Sequence, residues 1–332
     1  MVQLPAVRAN NASLARLGPG QVAVFVGGTS GIGEATAREF VQKTDRPRVY
    51  LIGRNEAQAS RILKALRELN PEGHTTFIKQ DIALLRGADE ACAKIMAKEH
   101  KVNLLFMTAG MITWQEELVK TSEGLDQKFS LHYYSRMRFA MQLLPLLKAA
   151  AEETPGALSR VVNVFSAGHE GPLDLDDLSL EKRYGLQACA THASTMTTLA
   201  MEHLARQHPE TAFIHTFPGI VKTGLVSGFG PLVKPFVLAL MALYSPWMVP
   251  LAESGERHLY AATSPRFPPR NAGLEVAVGV DGVEGSGSYS LHWDGEPYTK
   301  NTALLDRYRS EGVTKLVWEH TLDVFKNLRR QD

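Results

Sequence analysis

The chain has 332 residues, with 36 Lys and Arg against 35 Asp and Glu, for a formal charge of +1, and 44% of its residues are hydrophobic. That balance gives no sign of a surface built for polyanions, so nucleic acid is not expected as a partner, nor of a charge-rich disordered chain. Two cysteines, Cys92 and Cys189, are too few for a disulfide scaffold or a four-ligand metal site and fit a reduced, cytoplasmic compartment.

Residues 1–20 lack the apolar stretch of a secretory leader and read as an N-terminal extension. From 21 to 217, short apolar runs alternate with amphipathic stretches, the pattern of buried parallel strands connected by helices. Strands are expected at 22–26, 49–52, 76–78, 104–107, 161–165 and 213–217. The spacing of Ile62, Leu63, Leu66 and Leu69 predicts a helix over 55–69, capped by Asn55 and closed before Asn70 and Pro71. A longer helix is expected over 122–152, with Leu125, Phe129, Met137, Ala140, Leu144 and Leu147 facing the core and a kink at Pro145. Beyond Pro218 and Gly219 comes an apolar segment marked by Pro and Gly, reaching about 250. A helix-like stretch, a glycine-rich loop at 278–287, a strand at 288–293 and a last helix at 312–329 follow. The most apolar run, 236–244, is far shorter than the ~20 residues of a membrane span. It reads as core, as a pocket lid or as a peripheral lipid contact. With no polar linker between two cores, residues 21–332 form one domain.

The run VAVFVGGTSGIGEATAREF places a strand, then Gly27, Gly31 and Gly33, then a helix. This is the point where a doubly wound, Rossmann-type α/β sheet receives a dinucleotide, with helix amides facing the pyrophosphate. The second strand ends in YLIGRN, so Arg54 stands near the position where an NAD site offers a carboxylate. A guanidinium there suits a 2′-phosphate and points to NADP(H), the bland alternative being a solvated surface arginine.

Together with GGTSGIG and GRN, the chain carries Asp81 after the third strand, Thr-Ala-Gly at 108–110, VVNVFSAG at 161–168 and PGIVKT at 218–223. In these motifs it resembles the short-chain dehydrogenase/reductase family over about residues 20–225. The resemblance implies that Gly27, Thr29, Ser30, Gly31, Ile32 and Gly33 cradle the pyrophosphate. It also implies that Asp81 and Ile82 flank the adenine, that Thr108, Ala109 and Gly110 line the ribose side, and that Pro218, Gly219, Val221 and Thr223 hold the nicotinamide. It makes residues 222–252 an elaborated substrate lid, and it makes a homo-oligomer the usual assembly. The stretches LDQKFSLHYYSRMRFAMQLLPLL and QACATHASTMTTLAMEHLA resemble a fungal branch, many of whose members serve secondary metabolism.

In that family a serine orients the substrate oxygen, a tyrosine transfers the proton, a lysine four residues later supports it and a helix asparagine completes the set. Ser166 matches the serine. Tyr184, eighteen residues on and the only tyrosine before the next strand, matches the tyrosine across the insertion GPLDLDDLSLEKR. Four residues later stands Ala188, and neither Gln187 nor Cys189 supplies a fixed cation. Without a nearby cation Tyr184 can act as an acid but is a poor base near neutral pH. His132 stands where the family has asparagine, either as a proton relay or as a buried, satisfied histidine. A one-turn shift of the match would put Ala188 and His192 at the tyrosine and lysine positions, and His169 is a further candidate above the pocket. No His-x3-His or Cys-x2-Cys pair suggests a metal, and Ser166 lacks the Gly-x-Ser-x-Gly elbow of a serine hydrolase.

The expected activity is therefore NADP(H)-dependent oxidation or reduction at a carbonyl, alcohol or conjugated alkene of a lipophilic small molecule, a secondary metabolite. The competing reading is a non-redox cyclisation, isomerisation or dehydration on the same scaffold, and a third is a non-catalytic NADP(H)-binding subunit.

Overall fold

The computed structural model describes residues 1–111, 117–154, 156–221, 248–270, 276–298 and 301–328. Strands β1 (Val22–Val26), β2 (Arg48–Gly53), β3 (His74–Lys79), β4 (Leu104–Met107), β5 (Arg160–Val164), β6 (Ala212–Thr216) and β7 (Ser288–Leu291) form one sheet in the order β3-β2-β1-β4-β5-β6-β7. Every pairing is parallel. The six strands expected between residues 21 and 217 are all present, with ends moved by at most two residues.

The strand residues alternate between two cores. Val22, Val24 and Val26 face α4 (Leu85–Met96), α5 (Ser135–Glu153), α6 (Leu186–Gln207), α8 (Thr302–Ser310) and α9 (Val313–Leu328). Ala23 and Phe25 face α1 (Leu4–Ala12), α2 (Gly31–Lys43), α3 (Glu56–Leu69) and α7 (Leu251–Thr263). Burial on both faces explains why these strands read as continuous apolar runs. Asn55 caps α3 as expected, its side-chain oxygen accepting from the Gln58 amide at 3.0 Å. The N-terminal extension is itself folded: α1 packs on α7, and Arg8 pairs with Glu256 at 3.1 Å.

The helix expected over 122–152 begins later. Asp126 accepts from the Phe129 amide at 2.8 Å and from the Val119 amide at 3.2 Å, so the chain turns through Gly124 and turns helical only at Gln127. A short turn (Gln127–Phe129) and a π-helical turn (Ser130–Tyr134) then lead into α5, which continues through Pro145. The last helix expected at 312–329 is α9, and a further helix, α8, precedes it. Helix α9 lies along the α5/α6 side, where Tyr133 Oη meets Thr321 Oγ1 at 2.6 Å, Tyr134 Oη meets His320 Nε2 at 2.8 Å and Trp318 stacks on His203. Thr223, the run 236–244 and most of the 222–252 lid lie outside the described residues. Among the described residues no helix is long and apolar enough to cross a membrane.

Candidate active site

Strand order reverses between β1 and β4, and ligands of such sheets bind outside the carboxyl ends of the strands at that reversal. There the chain leaves β1 through Gly27, at φ 90°, whose amide donates to Ile52 O at 2.9 Å. A Cβ on Gly27 would lie 2.6 Å from the Ala109 nitrogen, and one on Gly33 would lie 2.5 Å from Gly27 O and 2.6 Å from Thr108 Oγ1. The loop, the end of β4 and the start of α2 are thus in backbone contact, a closeness only glycine allows. Thr108 Oγ1 donates to Gly27 O at 3.3 Å and the Ala109 amide to Val26 O at 3.1 Å, tying the ribose-side segment to the same loop. Gly31 opens α2 at φ 57°, Ser30 makes no side-chain cap, and Ile32 packs back onto the core, so among the described residues the first-turn amides stay open to an anion. Thr29 is buried against Gly53 at the end of β2. This glycine-lined cradle fits the pyrophosphate of a dinucleotide.

Arg54 follows β2 and is two-thirds exposed, its Nη1 3.9 Å from Asp81 Oδ2. Asp81 also accepts from the Ala83 amide at 3.1 Å, and Ile82 beside it is buried. An exposed ion pair this long contributes little by itself, so a phosphate can take the guanidinium at small cost.

Ser166, just beyond β5, is half-buried, and its backbone is held from two sides. Ser194 of α6 donates to Ser166 O at 2.6 Å, and the Ser166 amide donates to His215 Nε2 at 3.3 Å. The proton of His215 is then on Nδ1, which donates to Thr198 Oγ1 at 2.8 Å, and that hydroxyl donates to Glu170 Oε1 at 2.7 Å. Burial, with the Arg136 and His169 charges behind it, pushes His215 down to about 3, so it stays a neutral link.

His132 is in the π turn, with Nε2 accepting from the Met111 amide at 3.1 Å and its ring 4.9 Å from that of Phe165. A Cβ on Gly110 would meet His132 Nε2 at 3.3 Å. Burial first, then Arg136 and Lys128, push His132 down to about 3. In this arrangement it is a neutral acceptor that fixes the 109–111 segment, closer to the satisfied histidine than to the relay. Arg136, one turn on, is buried and donates to Ala109 O, Val164 O and Asn163 Oδ1, joining the ends of β4 and β5. Burial lowers it to about 9, so it remains charged at neutral pH.

Tyr184 stands just before α6, half-buried, with Asp126 and Cys189 beside its phenol. Lys128 Nζ lies 3.4 Å from Tyr184 Oη and 5.7 Å from the ring centroid. Ala188 is in the first turn of α6. His192 is buried, accepting from the Asp174 amide at 2.9 Å and meeting Leu178 O at 3.3 Å, so both ring nitrogens pin the 171–183 insertion. That use removes it as a substitute for the lysine.

On the β5–β7 side, rings form one wall of the site. The His169 and Phe217 centroids are 4.6 Å apart, those of Phe217 and His292 6.0 Å, and those of His292 and Tyr298 5.6 Å. Gly219, after Pro218, has φ 73°, and a Cβ there would lie 3.1 Å from Trp293. Val221 bridges to Val249. A separate groove of about 420 Å³ between α5, α6 and α9, lined by Met141, His203 and Trp318, lies towards the amino ends of the strands and contains none of these residues.

Sequence reading passed over Lys128, Arg136, the Glu170-Thr198-His215 chain and most of the ring wall. Only the run RMR within an otherwise apolar helix signalled a buried guanidinium.

The chain's similarities agree with this geometry. A family model described as short chain dehydrogenase matches residues 21–229. An oxidoreductase of Emericella nidulans, AN1596, is 42% identical over 97% of each chain, and the oxidoreductase andH of Emericella variicolor is 39% identical over 92% of each. Among solved structures, the NADPH-bound carbonyl reductase from chicken fatty liver superposes with a TM-score of 0.57 at 18% identity, covering 84% of this chain and 98% of that one. The L-sorbose reductase of Gluconobacter frateurii, solved with NADPH and L-sorbose, gives a TM-score of 0.58 at 17% identity over 85% and 98%. The protein is an oxidoreductase-type member of the short-chain dehydrogenase/reductase family.

Proposed function

We propose that this protein is an NADP(H)-dependent oxidoreductase that acts on a carbonyl, alcohol or conjugated alkene of a lipophilic small molecule, a fungal secondary metabolite. The observation that carries the cofactor choice is Arg54, a mostly exposed guanidinium at the end of β2, next to the glycine cradle. When bound, the nicotinamide supplies or accepts the hydride. The chain's residues do the rest. Gly27, Gly31 and Gly33 let the backbone approach the pyrophosphate, while Thr108, Ala109 and Gly110 form the floor, fixed from below by Arg136 and His132. Pro218, Gly219 and Val221 face the nicotinamide side. Ser166, braced by Ser194 and His215, orients the substrate oxygen, and Tyr184 gives it a proton.

The lipophilic substrate class is supported by the wall of Phe217, His169, His292 and Tyr298, because aromatic faces favour flat, apolar partners. The fungal sources of the similar oxidoreductases support the metabolic setting. The test is to incubate the purified protein with NADPH and a panel of aromatic and aliphatic ketones and enones. The proposal expects substrate-dependent loss of nicotinamide absorbance, greatest with aromatic members. Substrate conversion with no absorbance change would replace it with the non-redox reading.

A further inference from the structure

The phenol of Tyr184 is in a cluster drawn from two separate parts of the chain. Tyr184 and Cys189 come from the entry and first turn of α6, and Asp126 and Lys128 come from the turn that leads into α5. Asp126, Lys128 and Cys189 are each at most 6% exposed. A lysine this buried loses the hydration of its ammonium, which must be offset by what surrounds it. Here the ammonium is next to an oxygen that can become an anion. Asp126 fixes that placement, because its two carboxylate oxygens are held by the Phe129 and Val119 amides and so set the path of the backbone around Lys128.

The cluster is adjacent to the floor of the site. Lys128 is one turn before His132, whose Nε2 holds the Met111 amide and whose ring packs on Phe165, the residue before Ser166. Lys128 thus connects the Tyr184 phenol, through one helical turn, to the histidine that holds the 109–111 segment and packs beside Ser166's neighbour.

We propose that Lys128 is the cation of the proton-transfer unit, reaching Tyr184 from a neighbouring element instead of from the next turn of its own helix. This inference rests on the oxidoreductase reading above. With a reduced nicotinamide as hydride donor, the carbonyl carbon gains a hydride and its oxygen gains charge. The Tyr184 O–H bond then breaks, the proton forms a new O–H bond on the substrate, and the phenolate left behind faces the Lys128 ammonium. Burial, then Cys189 and Asp126, raise the Tyr184 phenol well above its usual range, so it is proton-loaded at neutral pH and reluctant to release that proton. Once charge develops on the phenol oxygen, a cation held 3.4 Å away favours the charged form. The 3.4 Å separation is long for a hydrogen bond, so the effect is electrostatic first and tightens as charge appears on the oxygen.

The experiment compares wild type with Lys128→Met and Lys128→Arg by two readouts. The first is NMR of protein carrying tyrosine labelled at Cζ, with the Tyr184 line assigned by its absence in Tyr184→Phe. Lys128→Met should shift that line and Lys128→Arg should largely restore it. The second is NADPH oxidation with the best ketone of the panel. Lys128→Met should lower kcat roughly ten- to hundredfold, within the range of general acid catalysis, with KM for NADPH changed less than about twofold and partial rescue by arginine. An unmoved NMR line, or a shifted line with an unchanged kcat, overturns the proposal. A lysine that matters only for folding would change kcat and KM together and would not be rescued at the labelled line, which also overturns it. If wild type binds NADPH but oxidises it with no ketone, the functional reading itself fails and the catalytic role fails with it, while the NMR line still reports the contact.

Discussion

The two halves of the site are built in different ways. On the β1–β3 side the proposed binding surface is backbone: Gly27, Gly31 and Gly33 fall within seven consecutive positions, and the strand, turn and helix that present them are contiguous. On the β5–β6 side the groups proposed for the chemistry are side chains gathered from afar. Ser166 follows β5, His215 is in β6, Tyr184 precedes α6 and Lys128 comes from the turn before α5. A site made by local backbone geometry is tolerant of everything except a Cβ, whereas a site made by converging side chains can keep its chemistry while changing which segment supplies each group.

If that contrast is right, the largest effect belongs to the cradle. In an unobstructed helix, Gly to Ala stabilises by about 1 kcal/mol, but in Gly33→Ala the new carbon would be 2.5 Å from Gly27 O. NADPH affinity should fall by more than about a hundredfold in a fluorescence titration, with the far-ultraviolet circular dichroism little changed; affinity within tenfold of wild type would mean the cradle does not hold the pyrophosphate. Tyr184→Phe comes next, and should lower turnover by roughly two to three orders of magnitude while leaving NADPH affinity within about twofold. Equal turnover would remove Tyr184 from the chemistry. Arg54→Ala should weaken NADPH roughly ten- to hundredfold and leave NADH nearly unchanged, since hydrogen bonds to charged groups are worth about 1.5–3 kcal/mol. A parallel loss for both nucleotides would point to adenine stacking rather than phosphate recognition.

The smallest effect is on stability. His215 faces Glu170, Arg136 and His169, and both it and His132 are held near 3, against about 6.5 when unfolded. Unfolding therefore takes up protons between those values, so stability present above pH 6.5 is lost as the pH falls toward 3. The slope is at most about 1.4 kcal/mol per pH unit for each histidine. Urea midpoints measured from about pH 7.5 down to about pH 4.5 should drop in wild type and drop less in His215→Asn; an identical drop in both would show that His215 can be protonated in the native state.

The same contrast explains what could be read from the sequence. Strand order, the cap at Asn55 and the glycine loop depend on neighbours in the chain, and apolar periodicity exposes them. The late start at Gln127 depended on Asp126 bonding to the Val119 amide, a turn that periodicity averages over. His132 sat at a recognisable position, but its neutral, accepting role comes from the Met111 amide and from Arg136 nearby. Lys128 was passed over because nothing within its own segment reveals that Tyr184, 56 residues away, lies beside it.

The account depends most directly on the cofactor, and the measurement that tests it is a fluorescence titration of the purified protein with NADPH and, separately, with NADH. Micromolar affinity for NADPH with much weaker binding of NADH is the predicted result. Binding of neither nucleotide, or a preference for NADH, would contradict it.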